Sequence, residues 1–302
     1  MEFLYLLEKL RMPGLNEFML GVTYLGDEIA FLAVALLVFW CVDKRQGYYL
    51  MSVGFVGTVT SQFMKLACRI PRPWVRDPNF TILEAAREGA GGYSFPSGHS
   101  QSSVGTFGSI ARTTKSKWIR ALCIAVAILV PFSRMYIGVH TPADVIVGSA
   151  ISLVLIFALH PIVFREDGKG MQWLIIGMVF MALAYLLYVE LWQFPADFDT
   201  HNLASGQKNA YTLFGCTLAV AIVYPVDRKW VNFKTDAVWW AQILKVLLGL
   251  VVVLLVKEGL RAPLEAILPV LPARAFRYFL VVLTAGLIWP MTFEKFSKLG
   301  RK

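Results

Sequence analysis

Apolar residues fall in long blocks separated by short polar connections, and the blocks approach the ~20 residues an α-helix needs to cross the roughly 30 Å hydrocarbon core of a bilayer. They predict about nine crossings, at 28–42, 47–68, 97–112, 118–134, 144–164, 171–192, 210–224, 239–256 and 276–293. A backbone in hydrocarbon must satisfy its own hydrogen bonds, and no alternating strand pattern is present, so the predicted fold class is all-α: a polytopic transmembrane helical bundle. The third block is the most polar, with Ser97, Ser100, Gln101, Ser102, Ser103 and Thr106. It is expected inside the bundle, shielded by its neighbours. Residues 1–27 precede the first block. Their first twenty positions mix Phe3, Leu4, Leu6, Leu7 and Leu10 with Glu2, Glu8, Lys9 and Arg11, and Pro13-Gly14 breaks them. This pattern suits a short interfacial helix and lacks the basic start and small-residue cleavage site of a signal peptide.

Composition agrees with this setting. Of 302 residues 57% are hydrophobic and 16% charged, against about 25% charged in an average soluble domain. The net charge of +9 calls for no nucleic-acid partner, because it collects in one set of connections. Lys44, Arg45, Arg112, Lys115, Lys117, Arg120, Arg165, Lys169, Arg228, Lys229, Lys234, Lys298, Arg301 and Lys302 mark that face as cytoplasmic by the positive-inside rule. The polar segments described next are then expected on the extracytoplasmic face. Cys41, Cys68, Cys123 and Cys216 lie in or at the ends of apolar blocks without paired spacing, which predicts neither a disulfide framework nor a zinc site.

Cations, histidines and a carboxylate are costly at membrane depth, so their gathering between Lys65 and Asp144 marks candidate chemistry. Lys65 ends the second block, and Pro71 and Pro73 fix Arg72 in a stiff turn; a lysine point charge and an arginine fork suit a phosphoryl group. Pro96-Ser97-Gly98-His99 opens the third block. A helix start with small residues offers free N–H groups to an anion, Ser97 adds a hydroxyl, Gly98 permits close approach, and His99 can donate a proton to a leaving oxygen. In Ser133-Arg134-x5-His140-Thr141-Pro142-x-Asp144, the Thr-Pro-x-Asp run also reads as a helix cap. That reading leaves His140 and Arg134 unexplained. Asp144 can hold one nitrogen of His140 protonated and leave the other as a nucleophile, while Arg134 completes a cation clamp.

The combination Lys65-x6-Arg72-Pro73, Pro96-Ser97-Gly98-His99 and Ser133-Arg134-x5-His140-x3-Asp144 resembles the type-2 phosphatidic acid phosphatase (PAP2) superfamily, which includes lipid phosphate phosphatases, glucose-6-phosphatase and vanadium haloperoxidases. The resemblance implies a catalytic core over 28–165 and additional helices over 166–302. It implies His140 as the nucleophile that forms a phosphohistidine, Asp144 as its orienter, and His99 as acid and then base. Lys65, Arg72, Ser97, Gly98 and Arg134 would form the phosphate cradle, and neither metal nor other cofactor is implied. Leu25-Gly26-Asp27-Glu28, Asp43-Lys44-Arg45 and the extra helices look most similar to the sphingosine-phosphate phosphatase branch. The expected activity is hydrolysis of a lipid phosphate monoester, such as a sphingoid base phosphate or phosphatidate. Alternatives are an isoprenyl (undecaprenyl) diphosphate substrate or a non-catalytic lipid-phosphate transporter or binder. The expected partners are the lipid substrate and the bilayer, with the extra helices able to form a homodimer surface.

Overall fold

The computed structural model describes residues 1–299, Glu88 by its backbone alone; Arg301 and Lys302, counted above in the basic tail, lie outside the described residues. The chain order is α1 (Glu2–Lys9), α2 (Pro13–Thr23), α3 (Glu28–Leu37), α4 (Lys44–Cys68), α5 (Pro73–Arg76), α6 (Gly98–Thr113), α7 (Lys117–Tyr136), α8 (Pro142–Val163), α9 (Lys169–Leu191), α10 (Thr200–Val226), α11 (Trp239–Gly259), α12 (Arg261–Ile267), α13 (Val270–Leu283) and α14 (Phe293–Lys298). Among the described residues there is no strand.

Six stretches are long and apolar enough to cross a membrane: Lys117–Tyr136, Pro142–Val163, Lys169–Leu191, Thr200–Val231, Trp239–Ile267 and Val270–Lys298. A seventh arises if the bent pair Pro13–Gly26 and Glu28–Val42, which meet at 56°, forms one span. The first predicted block is therefore the second limb of a bent pair whose first limb was read as interfacial sequence. The second and third blocks do form helices, α4 and α6, but α4 is diluted by Gly, Ser, Thr and Gln, and α6 has 16 residues. Neither meets the length and hydropathy of the other spans.

The chain divides into two compact units. The first comprises Met1–Ala35 and Tyr49–Pro161, the second Leu36–Tyr48 and Ile162–Lys302. In the first unit α6 packs along α7, and α2 packs on α7. Polar α6 is interior, as its sequence predicts: Ser100, Gln101, Ser103, Thr106 and Ser109 are all buried. Small residues permit this. A Cβ on Gly57 of α4 would strike the Gln101 amide, and one on Gly105 would come 3.2 Å from Ser152 Oγ of α8. Close approach through small residues and interhelical hydrogen bonds replaces the hydrophobic drive that lipid cannot supply. Ser152 Oγ donates to the Gln101 carbonyl at 2.5 Å, and Tyr49 OH donates to the Ile156 carbonyl at 2.6 Å. Near the α7–α8 connection, Met19, Ala86, Ala90, Tyr136, Ile137 and Val139 form an apolar cluster that fixes the loops bearing the motifs.

The second unit is built on α10, which packs along α9 and α13. A Cβ at Gly215 would strike the Ala275 carbonyl, so glycine is what allows the α10 and α13 backbones to meet. Phe39, Tyr48, Phe233 and Phe293 make edge-to-face contacts. Beside them Lys44 Nζ lies 2.9 Å from Asp227 Oδ2 and 4.4 Å from the centre of the Phe233 ring.

Candidate active site

The first unit gathers the predicted residues from four places. Pro71 and Pro73 end the α4 segment and start α5, leaving Arg72 as the extended residue before it, with φ −64° and ψ 156°. The guanidinium is buried and makes four hydrogen bonds. Nε donates to the Gly92 carbonyl at 3.0 Å, Nη2 to Gly91 at 2.8 Å, and Nη1 both to Val139 at 3.0 Å and to His140 Nε2 at 2.8 Å. Lys65, at the end of α4, donates to the Tyr93 carbonyl at 2.7 Å. Both cations thus hold the loop that leads into α6.

His140 follows the end of α7 and is 2% exposed. Guanidinium can only donate, so the Nε2 that faces Arg72 carries the lone pair and Nδ1 carries the hydrogen. Asp144 Oδ2 lies 3.5 Å from Nδ1, and Ser94 Oγ lies 3.4 Å from it. The short bonds of Asp144 go elsewhere: its Oδ2 accepts from Ser94 Oγ at 2.6 Å and from Thr141 N at 2.7 Å, and Asp144 N donates back to Thr141 Oγ1 at 3.3 Å. The helix cap read from Thr141, Pro142 and Asp144 is therefore formed, by the same oxygen that faces the imidazole.

Ser97 caps α6: its hydroxyl accepts from Ser100 N at 3.4 Å and from Ser100 Oγ at 2.9 Å, and its own N–H donates to the Asp144 carbonyl at 2.9 Å. Gly98 follows, and a Cβ there would meet open space. As first-turn residues, Gly98 and His99 present N–H groups with no acceptor inside their helix. His99 Nε2 lies 2.6 Å from Asp27 Oδ1. Arg134 is buried near the end of α7; Nη1 donates to Thr23 Oγ1 at 2.7 Å, while its buried Nε has no hydrogen-bond partner. An unfilled donor on a buried cation fits an anion site.

The electrostatics join these groups. Burial, and then the charges of Arg72, Arg134, Lys65 and His99, hold His140 well below the ordinary histidine range. Burial likewise pushes Arg72 down to about 10, with Asp144 acting in the opposite direction. His140 is accordingly neutral in the folded protein, whereas an unfolded chain takes up a proton near pH ~6.5. This contribution to stability is complete above that pH and is lost as the pH falls toward the depressed folded value. Detergent-solubilised protein should lose thermal stability between neutral and mildly acid pH, and His140→Asn should show a smaller loss over the same interval. An equal acid sensitivity in both proteins would contradict a neutral buried imidazole.

All eight predicted residues lie in this unit, but Ser94, Asp27 and Thr23 were not predicted as partners. Ser94 adjoins a motif without a residue type that sets it apart, Asp27 was visible only within Leu25-Gly26-Asp27-Glu28, and Thr23 carries no signal. Among the described residues, no group of three or more His, Cys, Asp or Glu side chains is placed to hold a metal ion.

Comparison with known proteins bears on the same segment. Residues 45–167 match the PAP2 superfamily model, and residues 211–302 match the model described as PAP2 superfamily phosphatase, transmembrane extension. The chain is 25% identical over 288 residues to sphingosine-1-phosphate phosphatase 1 of Mus musculus, covering 88% of this chain and 65% of that protein. It is 28% identical over 160 residues to phosphatidylglycerophosphatase B of Bacillus subtilis, covering 49% of this chain and 75% of that protein. It is 32% identical over 136 residues to undecaprenyl-diphosphatase of Sulfolobus acidocaldarius, covering 44% of this chain and 64% of that protein. No solved structure matches. With its motif residues gathered in the segment that the first model covers and the extension following, the chain belongs to the PAP2 superfamily.

Proposed function

We propose that this protein is an integral membrane lipid phosphatase that hydrolyses the phosphate monoester of an amphiphilic lipid, a sphingoid base phosphate, phosphatidate or similar molecule, through a phosphohistidine at His140. The observation that carries this reading is the lone pair of His140 Nε2, facing the Arg72 guanidinium at 2.8 Å among buried cations. A phosphoryl oxygen entering there takes the Arg72 hydrogen bond and brings phosphorus to Nε2. Lys65, Arg72, Arg134, Ser97 and the α6 start, with Gly98 open to close approach, oppose the charge on the transferring group. Nε2 attacks phosphorus, the bond from phosphorus to the alcohol oxygen breaks, and His99 supplies the proton that oxygen needs. Water then attacks the phosphohistidine, giving its proton to His99 and releasing phosphate. No step calls for a metal ion.

The match to the mouse sphingosine-1-phosphate phosphatase extends through the helices after the core, which favours a long-chain base phosphate. The higher identity to an undecaprenyl-diphosphatase over the core alone supports isoprenyl diphosphate as a second reading. We place the site on the extracytoplasmic face, supported by the basic connections at the opposite helix ends, and assign the core to 28–165 and the accessory helices to 166–302. Counting α4 and α6 as crossings shielded by the bundle brings the total to nine.

Phosphate release by purified protein in detergent, with and without EDTA, tests this across long-chain base phosphates, phosphatidate, phosphatidylglycerol phosphate, and isoprenyl mono- and diphosphates. EDTA-resistant release, fastest from a monoester, is expected. Preference for isoprenyl diphosphate would favour the second reading, and binding without release from any lipid would point to a transporter or binder.

A further inference from the structure

The corner between α2 and α3 has no part in the chemistry so far, yet it reaches His99. Asp27 stands there, after the tight turn Tyr24–Gly26, and its Oδ1 lies 2.6 Å from His99 Nε2. Gly26 makes the approach possible: a Cβ at this position would come 2.7 Å from Val130 Cγ1 and 3.0 Å from the His99 carbonyl oxygen. The corner is closed by Asp27 N donating to the Tyr24 carbonyl at 3.1 Å, and Phe31 N donates to the Asp27 carbonyl at 3.0 Å. The carboxylate side chain is therefore not consumed by the backbone bonds that start α3. The other charges acting on His99 are cationic, Arg134 from α7 and Arg72 from the α4–α5 connection, and neutral His140 lies on the α7–α8 connection. Asp27 is the one carboxylate among these groups, set against two guanidinium ions.

We propose that Asp27 is a positioning residue that accepts Nε2–H of His99 and sustains its imidazolium form, so that the proton delivered to the departing alcohol is the one on Nδ1. This inference rests on the phosphatase reading above. In the first step the electron pair of the phosphorus–oxygen bond stays on the alcohol oxygen, which takes the Nδ1 proton and leaves as the neutral alcohol. In the second step water transfers a proton back to Nδ1 as its oxygen bonds to phosphorus and the phosphorus–nitrogen bond breaks. His99 ends as it began, and Asp27 holds its proton on Nε2 throughout. The chain would thus use two carboxylate–imidazole pairs with opposite tasks: Asp144 beside a neutral His140, and Asp27 favouring the protonated form in which His99 can act as an acid.

The test is Asp27→Asn, which retains a good helix-start side chain and removes the charge. Turnover of alkyl phosphate esters should fall about tenfold or more, within the range that a positioned general acid contributes. The first-turnover burst of p-nitrophenolate from p-nitrophenyl phosphate should change little, because nitrophenolate departs without a proton and the water step that also uses His99 comes after it. Asp27→Glu should recover part of the loss, and Asp27→Asn should add nothing in a His99→Ala background. Independently of turnover, the nitrogen-15 resonances of the His99 ring in detergent should titrate at a lower pH in Asp27→Asn, by about one unit. Equal losses in the first turnover of both kinds of ester, or an unchanged titration of His99, would overturn the assignment. If the wild-type protein releases phosphate from no ester, the phosphatase reading fails, and the titration alone still decides whether Asp27 controls the charge on His99. If Asp27→Asn does not fold, Asp27→Glu is compared with the wild-type on the same two esters and by the same titration, with a smaller change of the same kind expected.

Discussion

His140→Ala should abolish phosphate release, by about 10⁴-fold or more, because the variant lacks the atom to which, on the proposed mechanism, the phosphoryl group is transferred. The result is sharper than a rate alone. With a radiolabelled substrate and an acid-free quench, the wild-type protein should carry label in a form stable to base and labile to acid, as a phosphorus–nitrogen bond is, and His140→Ala should carry none. Substrate binding should survive, since the cations of the proposed phosphate cradle are untouched. The substitution leaves a small cavity and removes the Arg72 Nη1 contact to Nε2, but Arg72 retains carbonyls of Gly91, Gly92 and Val139 as partners. Full turnover by His140→Ala, or label retained on the protein, would exclude His140 as the nucleophile.

Asp144→Asn should lower kcat by about 10³- to 10⁴-fold, the upper value being the loss when the carboxylate beside a catalytic imidazole becomes an amide. Asp144 Oδ2 receives Ser94 Oγ and Thr141 N while facing His140 Nδ1 at 3.5 Å. An amide turned to keep the serine and backbone donors on its oxygen cannot supply negative charge to the imidazole as phosphorus bonds to Nε2. An amide turned the other way presents N–H groups to donors and opens the helix cap. The second orientation should cost about 1 kcal/mol of stability, as loss of a cap does. A modest fall in unfolding midpoint with a fall in kcat of that size and a nearly unchanged KM is the expected pattern. A KM effect without a kcat effect would remove Asp144 from the chemical step.

The three segments around Lys65 and Arg72, Ser97 to His99, and Arg134 to Asp144 were legible because their residue types conflict with their surroundings: charge and imidazole are expensive in apolar helices, and proline marks where those helices stop. Ser94 was illegible for the opposite reason, since a serine in a loop costs nothing and only the fold brings its hydroxyl between Asp144 and His140. Asp27 looked like an ordinary acidic residue at a helix start. Its relation to His99 depends on the α2–α3 corner, and because α2 and α3 are both apolar, sequence placed the boundary there without indicating a 56° bend. The helical content was plain from the apolar blocks, whereas crossing count was blurred at α4 and α6. In those two helices, the small and hydroxyl residues that allow close packing also lower the hydropathy by which spans are recognised.

Arg72 has a kinetic consequence. Its guanidinium already has three carbonyl groups and an imidazole nitrogen as partners for four of its five N–H donors, so on the proposed mechanism an arriving phosphate would mostly exchange hydrogen bonds instead of filling vacant ones. The free energy of capture is the difference between two nearly complete solvation shells, one of protein dipoles and one that includes the anion. Inorganic phosphate formed there would meet the same competition from the Gly91, Gly92 and Val139 carbonyls. On that mechanism the loop of Gly91 and Gly92 would act as an internal displacing ligand, hastening the departure of a dianion that the surrounding positive charge would otherwise retain.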